Sequence, residues 1–335
     1  MTLTDAFNTV IDSSGALSHP VTRLCLAIIA GAFILAPTLL ILLQATSKLS
    51  EKTKKDAWLR YRTWLWIAPL ALIPIVWCKL GAVVAITAIA LLTYREYARA
   101  TGFFRYNALS AIVVIAIITM GAAALDHWYG LFVAVGPLGM AAIAGTAVVV
   151  DKPKGYLQRI ALGAVGLMLF GSGLMHLAYF TNHEQYRPVL LMLFLCTQVS
   201  DIAAYCFGKA IGHRKVFAET SPNKTLGGHL GALVVTTILA GWLAHMIFKD
   251  TVIDEWPRLI MFGLLVAIGA QFGDLVLGSI KRDLGVKDLA GTLPGHGGIS
   301  DRVNSLLLVA PAAFHFVGYL VTVGLDKPAK IFTGH

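Results

Sequence analysis

Apolar stretches of roughly twenty residues recur along almost the whole chain, and no other feature limits its fold so strictly. A helix of about 20 residues crosses the hydrocarbon slab of a bilayer, roughly 30 Å thick. With 57% of the 335 residues hydrophobic and only 13% charged, against about a quarter charged in a soluble domain, no aqueous core could hide so much apolar surface. Ten segments can be drawn, at 22–44, 64–78, 80–94, 108–125, 129–149, 158–180, 188–208, 229–248, 259–280 and 303–323. The second and third are short and joined through Pro74 and Lys79, so a tight re-entrant hairpin fits them as well as two crossings. Backbone in lipid must satisfy its own hydrogen bonds, so the expected fold class is all-α: a polytopic integral membrane protein with about ten transmembrane helices. The first 20 residues lack the basic start and short apolar run of a cleavable signal, and the first apolar segment is expected to persist as a span.

The net charge of +9 brings nucleic acid to mind, but in a membrane protein excess Lys and Arg belongs first to the cytoplasmic loops. Counting outside alternate segments puts 20 of the 27 Lys and Arg on one side and 7 on the other, and the richer side is expected to face the cytoplasm. No nucleic-acid partner is therefore expected. The run from Ser47 to Arg62, with Lys48, Lys52, Lys54, Lys55, Arg60 and Arg62, reads as a patch facing anionic lipid, at about 1 kcal/mol per basic residue. Cys25, Cys78, Cys196 and Cys206 lie in or beside apolar segments with no CxxC pair and no His at zinc-ligand spacing; they read as small core residues. No repeat, low-complexity tract or soluble domain is visible.

Two carboxylates break the pattern. Asp201 lies inside LMLFLCTQVSDIAAYCFG and Asp274 inside VAIGAQFGDLVLGSIKR, where a charge costs roughly 2.5–3.5 kcal/mol and normally faces a partner, a cavity or a cation. The plain alternative, pairing with a basic residue of a neighbouring span, is limited because the spans hold almost no bases. Asp274, Gly278, Lys281 and Arg282 share one helical face that descends into a basic loop. Gly269, Gly273 and Gly278 are expected to let neighbouring helices approach closely.

That loop reads KRDLGVKDLAGTLPGHGGISDRVNS. Lys281, Arg282, Lys287 and Arg302 suit phosphates, with Arg offering bidentate contacts and Lys a point charge. Asp288 and Asp301 suit divalent cations, and magnesium in particular prefers carboxylates shared with substrate phosphates. The PGHGG turn lets main-chain N–H groups approach an oxyanion, and His296 is placed to donate to phosphate. Solvated loop residues and helix-ending glycines are the plain readings of each residue alone. Those four bases and two carboxylates, with a His and a flanking intramembrane Asp, all within 29 residues, are too dense for them.

The run from Lys281 to Asn304 resembles the signature of the CDP-diacylglycerol synthase (phosphatidate cytidylyltransferase) family, with Lys281-Arg282, Lys287-Asp288, Pro294-Gly295-His296-Gly297-Gly298 and Asp301-Arg302 in register. A second block, Asp201 to Tyr205 followed by Ser221 to Thr225, is similar to the family's preceding segment. The likeness is strong over 188–305 and weaker back to residue 60. On it the chain divides into an added N-terminal span with its basic loop, 1–55, and a cytidylyltransferase-like membrane domain, 56–335, with the signature at 274–304. Three positions depart from the family pattern: Gly278 replaces a Ser, with Ser279 displaced by one; Asn304 replaces an Asp; and Leu226-Gly227 replaces Trp-Glu. A divergent member is expected.

The resemblance implies transfer of the cytidylyl group of CTP to phosphatidic acid or a similar lipid phosphate, giving CDP-diacylglycerol and pyrophosphate. It implies Mg2+ held by Asp274 and Asp301, with Asp201 on a second cation. Ser221 and Lys224 are expected to hold the nucleotide; Lys281, Arg282 and Lys287 to neutralise the leaving pyrophosphate; and Asp288, His296 and Arg302 to belong to the site. The expected setting is a bacterial inner (plasma) membrane with the site facing the cytoplasm, membrane lipids as partners, and room for a homodimer. Two other functions stay open on the residues: an ion-coupled transporter using Asp201 and Asp274, and a catalytically weak paralogue that binds lipid or acts on another lipid phosphate.

Overall fold

The computed structural model describes residues 3–45, 51–149, 151–321 and 330–333. Ser47 and Lys48 of the basic loop, and positions 322 and 323 of the last expected segment, lie outside the described residues. The described residues are mainly helical: α1 (Leu3–Ile11), α2 (Pro20–Ala45), α3 (Glu51–Trp77), α4 (Lys79–Ala100), α5 (Asn107–Leu125), α6 (Tyr129–Val149), α7 (Tyr156–Val165), α8 (Leu174–Tyr179), α9 (Tyr186–Ile211), α10 (Leu226–Ile247), α11 (Trp256–Asp283), α12 (Ser300–Val303) and α13 (Leu306–Leu320). A π-helical turn, Gly166–Gly173, joins α7 to α8 in one continuous stretch.

Among the described residues, nine helical stretches are long and apolar enough to cross a membrane. The expected segment at 64–78 is not among them, for a physical reason: it is the apolar second half of α3, whose first half carries Lys52, Lys54, Lys55, Arg60 and Arg62. The re-entrant turn does not form. α3 and α4 are antiparallel arms joined at Cys78, whose sulfur accepts the Gly81 N–H and caps α4. One end of this pair touches the PGHGG loop at Arg60, Thr63 and Glu96. The other end lies with Leu125, Asn182 and Arg187, because Lys79 Nζ donates to the Leu125 carbonyl and Asn182 Oδ1 while Arg187 donates to the carbonyls of Val76 and Trp77.

The helices therefore run alternately between two ends. The α4–α5, α6–α7, α9–α10 and α11–α12 connections gather at one of them, and with them Arg105, Lys152, Lys154, Arg214, Lys215, Lys224, Lys287 and Arg302. α9, α10, α11 and α13 pack side by side and carry the residues of interest. Close approach is set by glycine as expected: a Cβ at Gly273 would stand 2.5 Å from the Asn304 carbonyl, and one at Gly269 3.0 Å from the Val309 side chain. A Cβ at Gly278 would meet Thr220 at 3.2 Å, and the displaced Ser279 hydroxyl lies 3.4 Å from that of Thr220.

Candidate functional site

The PGHGG loop owes its shape to a residue that the sequence reading did not single out. Glu96, in the last turns of α4 and only 6% exposed, accepts four hydrogen bonds from the loop. Its Oε1 takes the Thr292 hydroxyl (2.6 Å) and the Ile299 N–H (2.9 Å); its Oε2 takes the Ser300 N–H (2.9 Å) and hydroxyl (2.7 Å). Bonds to a charged acceptor are roughly twice as strong as neutral ones, and here one carboxylate fixes both sides of the turn. Gly298 must stay bare, because a Cβ there would overlap Glu96 Oε2.

α3 pins the other flank. Thr63 Oγ1 donates to the Pro294 carbonyl at 2.9 Å, and His296 Nε2 donates to the Arg60 carbonyl at 3.1 Å with its ring edge-on to Trp64. That nitrogen is thus engaged with the backbone rather than turned to a phosphate. Burial pushes the His296 ring below the usual histidine range, against the opposing pull of the Arg60 carbonyl.

Held from both sides, the loop delivers Asp301 on the first turn of α12. Its Oδ2 accepts the Gly298 N–H at 3.0 Å and its Oδ1 accepts Lys281 Nζ at 2.7 Å. Gly297 has φ +77°, and a Cβ added to it would lie 2.8 Å from Asp301 Oδ2 and 3.1 Å from Asp288 Oδ1. Both carboxylates are thereby turned toward the same glycine. One turn on, Asn304 Nδ2 donates to Asp274 Oδ1 at 2.6 Å and ties the loop to α11.

Asp274 faces a cleft of about 230 Å³ between α9, α10 and α11, lined also by Asp201, Tyr205, Lys224, His229 and Gln271. Lys224 forms an ion pair with Asp274. Asp201 lies within electrostatic reach of Asp274, Lys224 and Arg302, and Arg302 Nε is buried without a hydrogen-bond partner. A larger groove of about 580 Å³ between α6 and α7 contains Asp151 and Lys152 but none of the signature residues.

Of the expected site residues, Asp201, Asp274 and Lys224 line the cleft, and Asp301, Lys281 and Arg302 adjoin it through the Asn304 bond. The others lie outside the cleft wall, although Asp288 stands near Asp301 at Gly297. Arg282 bridges the two loops, donating to the Thr220 and Val286 carbonyls at 3.3 Å each. Ser221 sits in a turn closed by Lys224 N–H on the Ser221 carbonyl, outside the cleft wall, and Lys287 and Asp288 are exposed.

Among the described residues no three or more His, Cys, Asp or Glu converge on one point, so no closed all-protein metal cage exists. Asp201 and Asp274 in the cleft, and Asp301 one helical turn from Asn304, are hard oxygen donors, with Lys224 and Lys281 paired to Asp274 and Asp301. That set fits a magnesium ion shared with substrate phosphates, the arrangement this ion favours.

Comparison with known sequences accords with this arrangement. The sequence profile of the cytidylyltransferase family matches residues 58–320. The uncharacterized protein YnbB of Escherichia coli K12 is 36% identical over 197 residues, 57% of this chain and 65% of that protein. A phosphatidate cytidylyltransferase of Staphylococcus saprophyticus is 37% identical over 174 residues, 52% of this chain and 65% of the relative; one from Staphylococcus epidermidis is 32% identical over 203 residues, 61% and 75%. The matched stretch thus spans just under two thirds of the first two relatives.

Proposed function

The chain belongs to the cytidylyltransferase family, and from that premise we propose that it transfers the cytidylyl group of CTP to phosphatidic acid, forming CDP-diacylglycerol and pyrophosphate in a bacterial inner membrane. The observation that carries the proposal is the Asn304–Asp274 bond, which joins the signature loop to the acidic cleft. In the reaction a phosphate oxygen of the lipid attacks the α-phosphorus of CTP, and the bond from that phosphorus to the β-phosphate oxygen breaks in line. A phosphomonoester is already nucleophilic near neutral pH, so positioning and charge stabilisation matter more than proton transfer.

Asp274 and Asp301 would hold Mg2+, and Asp201 a second cation, which when bound would neutralise triphosphate charge. Lys224 and Lys281, paired with Asp274 and Asp301, turn their ammonium groups to phosphate oxygens when the nucleotide binds. Arg302, whose Nε lacks a protein partner, contributes a further donor to the anion. Arg282 keeps the Ser221–Thr225 turn beside the cleft. The acyl chains remain in lipid while the headgroup enters at the basic end, which we assign to the cytoplasmic face.

Purified protein supplied with radiolabelled CTP, Mg2+ and phosphatidic acid in mixed micelles is expected to yield CDP-diacylglycerol, identified by mass spectrometry, and Asp301→Ala to yield none. No labelled lipid from the wild type, across several lipid phosphates, would overturn the proposal.

A further inference from the structure

The cleft contains an arrangement that the proposed transfer does not use. His229, on α10, faces Gln271, on α11. Gln271 Nε2 donates to the backbone carbonyl of His229 at 3.3 Å, which fixes the amide so that its Oε1 is the atom turned to the imidazole. Oε1 can only accept, so His229 Nδ1 carries the proton. The neutral ring with its proton there presents Nε2 as a bare acceptor. Nε2 is buried and has no hydrogen-bond partner, although His229 and Gln271 both line the cleft beside Asp201, Lys224 and Asp274. Phe217, a half-exposed residue with φ +55°, stands edge-on to the ring at 5.6 Å and leaves that nitrogen unserved.

A buried acceptor of this kind selects for a ligand that brings a donor. Phosphatidic acid brings none: its ester and phosphate oxygens accept, and its phosphate is largely deprotonated near pH 7. CTP brings ribose 2′- and 3′-hydroxyls and the cytosine 4-amino group. Gln271 lies one helical turn from Asp274 and His229 one turn from Thr225, so a nucleoside attached to phosphates held by Lys224 beside Asp274 has this wall within reach. We infer that His229 Nε2 is a specificity-determining contact, accepting a hydrogen bond from a sugar hydroxyl or the 4-amino group of the nucleotide, with Gln271 as its positioning residue. The inference rests on the assignment of CTP to this cleft.

The test is equilibrium binding of CTP, 2′-deoxy-CTP, 3′-deoxy-CTP and UTP to the full chain in detergent by titration calorimetry, with turnover of the same nucleotides in parallel. The wild type is expected to bind one of the three analogues about tenfold more weakly than CTP. His229→Asn keeps a donor for Gln271 at the Nδ1 position but places no atom at Nε2. It is expected to weaken CTP binding about tenfold, to leave that one analogue unchanged, and to raise KM without lowering kcat. His229→Gln, which returns a polar atom near Nε2, is expected to restore part of the discrimination. An equal loss for all four nucleotides, or no loss for any, overturns the inference. Discriminating binding without lipid product sinks the proposed reaction and leaves this contact standing, and no nucleotide binding at all sinks both.

Discussion

Both ends of the helical bundle place charged groups among apolar helices, yet they do so in opposite ways. At the α3–α4 and α8–α9 end the partners are mainly backbone. Lys79 Nζ donates to the Leu125 carbonyl and Asn182 Oδ1, Asn182 donates to the Ala124 and Tyr179 carbonyls, and Arg187 donates to the carbonyls of Asp12, Val76 and Trp77. At the signature end charge faces charge: Lys224 on Asp274, Lys281 on Asp301, with Arg302 Nε and His229 Nε2 unserved. Carbonyls of neighbouring helices cannot leave, whereas an ammonium group can exchange a carboxylate for a phosphate. On the proposed reaction the first end holds and the second exchanges.

The comparison breaks most visibly at Asp274. Asp274→Asn keeps an oxygen for the Asn304 amide and removes the charge, so turnover is expected to fall by about 10³-fold while the unfolding midpoint in detergent shifts little. A large loss of stability with activity per folded molecule intact would reverse the roles assigned to the two ends. Glu96→Gln tests the frame rather than the cleft. A glutamine can accept on one side only, so its amide nitrogen would face donors on the other, and kcat is expected to fall by about 10²-fold from loop misplacement with little change in nucleotide KM.

Lys79→Met is the converse variant. It strands two acceptors inside the opposite end, and the expected outcome is a loss of about 2 kcal/mol of stability with unchanged turnover per folded molecule, read by thermal unfolding beside the lipid assay.

The difference between the ends also explains what could be read from sequence. Asp201 and Asp274 were legible because a carboxylate in an apolar run needs a reason, and the signature loop because its charged residues are so dense. Glu96 was not: within TYREYARATG it stands beside Arg95 and Arg99 at the end of a span and looks like interface charge until the loop folds onto it from some 200 positions away. His296 looked free to donate to phosphate because nothing local shows that the Arg60 carbonyl and Trp64 flank it. α3 was readable as apolar but not as one long continuous helix, since its charged half hides its length. His229 and Gln271 gave no signal beyond two polar residues on separate helices.

A smaller effect is expected at Asn304, the departure nearest the acids. Asn304→Asp replaces a donor to Asp274 with a further carboxylate beside it, which strengthens a hard-oxygen cation site. The magnesium concentration for half-maximal turnover is expected to fall by about threefold, read from a magnesium titration. A rise instead would place the ion elsewhere than between α11 and α12.

The smallest effect belongs to Asp126, a carboxylate clamped at the opposite end. Asp126 Oδ1 accepts the N–H groups of Phe332 (2.6 Å) and Thr333 (3.1 Å), its Oδ2 accepts the Thr333 hydroxyl (2.6 Å), and Lys330 lies over the Trp128 ring at 3.9 Å. Burial works against its ionisation, but the bonds from Thr333 and Phe332 outweigh it and hold the carboxyl below the usual carboxylate range. A lowered value means that the ionised form is the bound form, so docking of 330–333 is complete above the ordinary carboxylate pKa of about 3.9 and is lost only as the pH falls through the lower folded value. Amide exchange of the C-terminal peptide, corrected for its intrinsic pH dependence, is expected to stay protected at pH 5 and to open toward pH 3, and Asp126→Asn to reproduce the open state at pH 7. Turnover near neutral pH should not follow either change, because this carboxylate holds backbone in place and exchanges with nothing; a matching change in nucleotide KM would show that the two ends are coupled.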